Sequence, residues 1–239
     1  MNKTMAEAVA FAKDADSLLA LAKENNIDVG VAPTYLSLAS VKKANPKLIV
    51  GAQNCHFEDH GAFTGEISVP MLLELGVDWV IIGHSERRSY YNETNEACNK
   101  KLKVLFANKM TPIYCVGETL AEFEAGKTKK VIEEQVRVGL EGLNKEDVAK
   151  MVIAYEPVWS IGTGKNASKE IAEDICGYIR KLVKEMYGSA SEEVRILYGG
   201  SVKPENVRDY LKQEDVDGAL VGGASLKSES FKQLVENII

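Results

Sequence analysis

His84 and Glu156 each close an apolar run. His84 follows VDWVIIG and precedes SERR, and Glu156 ends MVIAYE directly before Pro157. In a parallel barrel the strand ends open into one shared mouth, so a polar residue closing a buried strand stands where chemistry is done. Either residue alone has an ordinary explanation, the histidine as a hydrogen-bonding group and the carboxylate as a salt-bridge partner. Their joint occurrence in one mouth points to a catalytic pair. Farther on, LYGGSV (197–202) and LVGGASL (220–226) both contain paired glycines, which let backbone N–H groups approach an anion closely. Two such loops after the last two strands favour a phosphate site over a pair of tight turns. Between them and the carboxylate lies PVWSIGTGK (157–165), stiffened at one end by Pro157 and loosened at the other by glycine, with Val158, Trp159 and Ile161 between. That composition suits a lid hinged at its ends and apolar in its middle.

The elements that must hold these groups follow from the hydrophobic pattern. Short apolar, β-branched runs stand at 28–32, 48–52, 77–82, 111–116, 151–156, 194–198 and 217–222. They are too continuously apolar for a sheet with one wet face and read as parallel strands covered on both sides. Helical patterns separate them at 37–44, 70–75, 93–108, 119–143, 168–187, 204–211 and from 228 onward. Another helix comes first, because Thr4 and Glu7 have capping-box spacing and Met5, Ala8, Ala12, Ala15, Leu19 and Ala22 recur at helical period. The order is α(βα)7 in a single domain of 1–239, one strand short of a closed (β/α)8 barrel. An open doubly wound sheet would need a nucleotide fingerprint or a switch point, and neither is visible.

Composition narrows the function classes. The 239 residues carry 35 acidic and 29 basic side chains, a net charge of −6, which leaves no basic surplus for nucleic-acid backbone binding. Lys100, Lys101 and Lys103 read as a solvated helix face. No apolar run approaches a membrane span and no leader pattern opens the chain, so a cytoplasmic protein is expected. Cys55, Cys98, Cys115 and Cys176 are widely spaced and are expected as reduced thiols. GTGK (162–165) fails the phosphate-loop pattern on both sides, at Trp159 and Asn166. Cys55, His56, Asp59 and His60 make a ligand set for zinc, but no second ligand group stands at a standard spacing, so no metal is expected.

GHSERR, YEPVWSIGTGK, YGGSV and GGASL together resemble the triosephosphate isomerase family in order and spacing, over essentially the whole chain. The resemblance implies a TIM barrel that interconverts dihydroxyacetone phosphate and glyceraldehyde 3-phosphate without a cofactor. It implies Glu156 as the base and His84 as a neutral electrophile, with Glu86 and Cys115 in support. It further implies Gly162, Ser201, Gly222 and Gly223 as phosphate ligands, and Pro157, Val158, Trp159, Ser160, Ile161, Gly162, Thr163 and Gly164 as the lid. The segment at 52–66 resembles the family's subunit-contact loop, with Thr64 at its tip, which implies a homodimer and displaces the zinc reading.

In one respect the sequence departs from the family. The family's first strand ends in Asn-x-Lys, and this sequence begins just after the matching lysine; Lys3 lies beyond that position and does not inherit its role. Either the sequence starts at an internal methionine of a longer protein or the strand is lacking. As written, the residues predict a recognisable barrel with two unpaired strand edges, lowered stability and impaired turnover. Two other readings stay open. A Schiff-base aldolase on a phosphate-binding barrel would want a lysine inside a strand, and none of the runs has one in its interior. A non-catalytic barrel scaffold would leave His84, Glu156 and the apolar lid without purpose.

Overall fold

The chain opens on a capping box: Glu7 N–H donates to the Thr4 hydroxyl at 3.4 Å while the Glu7 carboxylate accepts from Thr4 N–H at 2.7 Å. A computed structural model describes residues 1–161 and 166–239. Its strands are β1 (Gly30–Val31), β2 (Ile49–Ala52), β3 (Trp79–Ile82), β4 (Thr111–Val116), β5 (Val152–Tyr155), β6 (Arg195–Tyr198) and β7 (Gly218–Ala219). Its α-helices are α1 (Met5–Asp14), α2 (Asp16–Glu24), α3 (Leu38–Ala44), α4 (Val69–Glu74), α5 (Ser85–Tyr91), α6 (Asn95–Ala107), α7 (Leu120–Glu124), α8 (Thr128–Leu140), α9 (Lys145–Val148), α10 (Lys169–Tyr187), α11 (Val207–Leu211) and α12 (Ser228–Glu236).

All seven strands are parallel and pair in sequence order, so each helical connection returns the chain to the neighbouring position. Side chains alternate across the sheet. In β3, Val80 and Ile82 pack outward under the helices, while Trp79 and Ile81 face an inner cluster with Ile113, Cys115, Ala154, Leu197 and Leu220. The register lines these inner residues up, with Ile81 opposite Ile113, Cys115 opposite Ala154 and Ala154 opposite Leu197. Ala32, just past β1, packs on that same cluster, so the sheet curls until its two ends line one interior. Gly51 is required there, because a Cβ would overlap the Trp79 indole on the adjacent strand. Among the described residues β1 and β7 each pair on one side only.

Several sequence expectations change. The opening helix breaks after Asp14, where the Asn45 side chain donates to Ala12 O at 2.9 Å and to Asp16 Oδ1 at 3.1 Å. That lateral partner replaces helical continuity. The helix expected over 119–143 is interrupted by Gly126 at φ +66°, which ends α7 in the left-handed region before α8 begins. The runs at 28–32 and 217–222 shrink to two-residue edge strands, and α5 and α9 were not anticipated. Lys101 corrects the solvated-face reading: it is buried, and its ammonium contacts Glu93 and donates to Asn54 Oδ1 at 2.9 Å. No described helix is long and apolar enough to cross a membrane.

Candidate active site

His84 leaves the C-terminal end of β3 through Gly83, whose φ of +73° and crowding by Arg88, Cys115 and Cys98 exclude a side chain. Both backbone groups of Gly83 are held: its N–H donates to Glu93 Oε2 at 2.9 Å, and its carbonyl accepts from Arg88 Nε at 2.8 Å. His84 then caps α5, its Nδ1 accepting from Glu86 N–H at 3.3 Å. An Nδ1 that accepts must carry a lone pair, so in the neutral ring the proton sits on Nε2. That Nε2 lies 2.9 Å from Glu156 Oε1.

Glu156 follows β5, its N–H donating to Val116 O at 2.7 Å. Its side chain is 3% exposed, and Oε2 accepts from Ser85 N–H, the first amide of α5, at 2.9 Å. The carboxylate is therefore held by a helix N-terminus and by the His84 ring. Gly117 makes room for the Glu156 backbone, since a Cβ there would overlap the Glu156 carbonyl, and Gly199 lies against the Glu156 Cγ. Burial pushes the Cys115 thiol well up, and the neighbouring Glu156 charge adds to the effect. Burial lowers His84, but the bond and charge of Glu156 outweigh it, with Glu86 adding, and the net direction is upward. The expected neutral ring is thus supported by the Nδ1 geometry and opposed by Glu156 while that carboxylate rests against it.

Residues 157–161 rise directly from Glu156. Val158 N–H donates to Glu118 O at 3.1 Å, and the buried Glu118 carboxylate accepts from Trp159 Nε1 at 2.8 Å and Tyr155 Oη at 3.2 Å. Burial raises Glu118, and these donors pull it back. Trp159 also stacks on Phe123, centroids 4.4 Å apart. Pro157, Val158, Trp159, Ser160 and Ile161 are thus placed beside the carboxylate, whereas Gly162, Thr163 and Gly164 lie outside the described residues.

A cleft of about 2200 Å³ runs the length of the sheet interior, from Asp78, Thr111 and Arg195 at one end of the strands to His84, Glu86, Glu156, Ile161, Ser201, Gly222 and Gly223 at the other. Gly222 and Gly223 are exposed and meet nothing where a Cβ would stand, so no crowding there explains the glycines. A short 3-10 turn, Gly223–Leu226, follows Gly222. Glu86 stands 3.9 Å from His84 Nδ1 and is largely exposed. Thr64 is exposed near the end of the 52–66 loop, in which His56 stacks on Phe57 at 4.4 Å and packs tilted against Phe63 at 4.5 Å. Among the described residues no three His, Cys, Asp or Glu side chains gather as metal ligands.

Sequence reasoning missed the groups that aim the pair: Glu93, Arg88, Ser85 N–H and Glu118. SERR was visible as a motif, but nothing in its spacing says that Arg88 returns to Gly83 O.

None of the seven strands carries a lysine, which leaves a Schiff-base aldolase without its nucleophile among them. A family model described as Triosephosphate isomerase matches residues 1–238. A Triosephosphate isomerase of Clostridium botulinum (strain ATCC 19397 / Type A) is 55% identical, over 98% of this chain and 95% of the relative. That of Streptococcus mutans serotype c is 53% identical over 99% and 94%, and that of Alkaliphilus metalliredigens 51% identical over 98% and 95%. A parallel (βα) sheet with a strand-end histidine on a strand-end glutamate, matched in sequence at this level from end to end, places the chain in the triosephosphate isomerase family.

Proposed function

We propose that this chain is a triose-phosphate isomerase that interconverts dihydroxyacetone phosphate and glyceraldehyde 3-phosphate with its own side chains and no cofactor. The observation that carries the mechanism is the 2.9 Å contact between His84 Nε2 and Glu156 Oε1, with Nδ1 already occupied by Glu86 N–H. Substrate enters between the two groups. Glu156 leaves Ser85 N–H, takes a proton from the carbon beside the carbonyl and returns it to the neighbouring carbon. His84 Nε2–H donates to the carbonyl oxygen as negative charge develops on the enediolate. Once Glu156 has moved off, the largest influence that raises His84 is removed, leaving the weaker pull of Glu86 and Glu93 against burial and the α5 N-terminus, which both favour the neutral donor.

Ser201, Gly222 and Gly223 face the same cleft and supply a hydroxyl and backbone amides to the phosphate, with Gly162 as the further ligand the family pattern assigns. Residues 157–164 form the lid, anchored at its N-terminal end by Trp159 on Glu118. Covering the intermediate keeps water from it and strengthens the field of the fixed donors. Glu86 and Cys115 are supporting neighbours of His84 and Glu156 respectively. The 52–66 loop, with Thr64 at its tip, is the contact of a homodimer in the cytoplasm. The test is isomerase turnover of the purified chain beside Glu156→Gln. Turnover in the first and its loss in the second support the reading; interconversion that persists in Glu156→Gln overturns it.

A further inference from the structure

We propose that Gln135 is a positioning residue that fixes the distance between Glu156 and His84 from behind the site; the inference rests on the isomerase reading above. Gln135 stands on α8 and does not line the cleft. Its side-chain amide closes on both backbone groups of Gly117, the residue after β4. Gly117 N–H donates to Gln135 Oε1 at 2.7 Å, and Gln135 Nε2 donates to Gly117 O at 3.0 Å. The residues on either side of Gly117 hold the segment that carries the carboxylate: Val116 O accepts from Glu156 N–H at 2.7 Å, and Glu118 O accepts from Val158 N–H at 3.1 Å. A Cβ on Gly117 would overlap the Glu156 carbonyl, so the two peptides pass without slack. Wherever Gln135 sets Gly117, the Glu156 backbone must follow.

The same residue reaches the histidine. Gln135 O accepts from Tyr114 Oη at 2.7 Å, Tyr114 Oη accepts from Arg88 Nη2 at 3.3 Å, and Arg88 Nε donates at 2.8 Å to Gly83 O, directly before His84. Arg88 Nη2 also donates to Cys115 O at 3.2 Å, which ties the ends of β3 and β4 to each other. Gly139 shows what this path demands. It stands inside α8, one turn beyond Gln135, where glycine weakens a helix, and a Cβ there would overlap the Tyr114 hydroxyl. Buried hydrogen bonds in a chain polarise and stiffen one another, so a displacement at either end is resisted along the whole path. Gln135 thus bonds the Glu156 side directly and the His84 side through Tyr114 and Arg88.

Gln135→Met keeps the length of the side chain and removes both bonds to Gly117. Its kcat should fall about tenfold as the pair loses its set distance. KM should stay within about twofold, because Ser201, Gly222 and Gly223 come after β6 and β7 and share none of these bonds. A second readout needs no turnover: nitrogen NMR of the His84 ring, one of three histidines in the chain, reports its contact with Glu156. Those signals should move in Gln135→Met toward their positions in Glu156→Ala. They should move less in Tyr114→Phe, which cuts the path at one hydroxyl and keeps the ring. Unmoved His84 signals overturn the inference, as does a lowered melting temperature with kcat and the signals unchanged, or a fall in kcat/KM carried by KM alone. A wild-type chain that does not isomerise overturns the isomerase reading, and the His84 signals still decide whether Gln135 sets the pair.

Discussion

At the scale of single residues, the site turns on one shared contact. His84 is pushed above its ordinary pKa because Glu156, bonded to Nε2, outweighs the burial that lowers it. A pKa raised by folding adds stability that is complete below the unfolded value of about 6.5 and fades as pH climbs through the folded value. In denaturant melts the wild type should therefore lead His84→Gln by most below about pH 6.5 and by least in the alkaline range. A difference that instead grows with pH would show that Glu156 is not the dominant partner. Glu156→Gln keeps the shape and the Ser85 N–H acceptor but removes the proposed base. Its turnover should fall by about 10³ or more with folding intact, and a drop of less than tenfold in steady-state assays would assign the proton transfer elsewhere.

At the scale of elements, precision at His84 is inherited from buried charge. Glu93 holds Gly83 N–H and is itself contacted by Lys101 from α6, with Arg87 Nε 3.6 Å away. Lys101→Met removes the closer of the two cations facing that buried carboxylate, leaving Arg87 at 3.6 Å, and should destabilise the fold by about 3 kcal/mol. The double variant with Glu93→Gln should recover part of the loss, and urea melts of the four proteins in a cycle measure the coupling. A second element-level demand is the close passage of β4 past β5. Because a Cβ on Gly117 would overlap the Glu156 carbonyl, Gly117→Ala must push the two strand ends apart. It should abolish turnover even where circular dichroism shows the helices retained.

At the scale of the molecule, stability is distributed unevenly around the sheet. β4 and β5 are paired on both sides and covered by α6, α8 and α10, whereas β1 and β7 are paired on one side and only two residues long. Amide exchange should be slowest in β4 and β5 and fastest among the strands in β1 and β7, since edge hydrogen bonds open without breaching the core. Mass spectrometry of deuterated fragments reads this directly. Leu36, Phe63, Met71, Tyr90 and Tyr91 leave much of their apolar surface in water. The proposed homodimer accounts for such surface around the 52–66 loop, and Thr64→Arg with Phe63→Asp should then sediment as a monomer where the parent sediments as a dimer.

Much of this was legible beforehand, for stated reasons. Strand identity follows from continuous apolar runs such as TPIYCV, whose bounds the structure reproduces as β4, because a doubly covered parallel strand leaves no polar positions to confuse the reading. His84 and Glu156 were legible as candidates because a polar residue closing a buried strand violates the local pattern, and their side chains meet at 2.9 Å. Periodicity, however, records only what each residue does along its own element. That Lys101 is buried, that Arg88 turns back to Gly83, that Tyr210 reaches Ala167 and that Asn45 breaks the first helix are contacts across 8, 5, 43 and 33 positions of sequence. Sequence alone determined which residues stand at the strand ends. Only the packed structure decided how they are aimed, because a buried polar group takes its partner from whichever element the fold brings alongside.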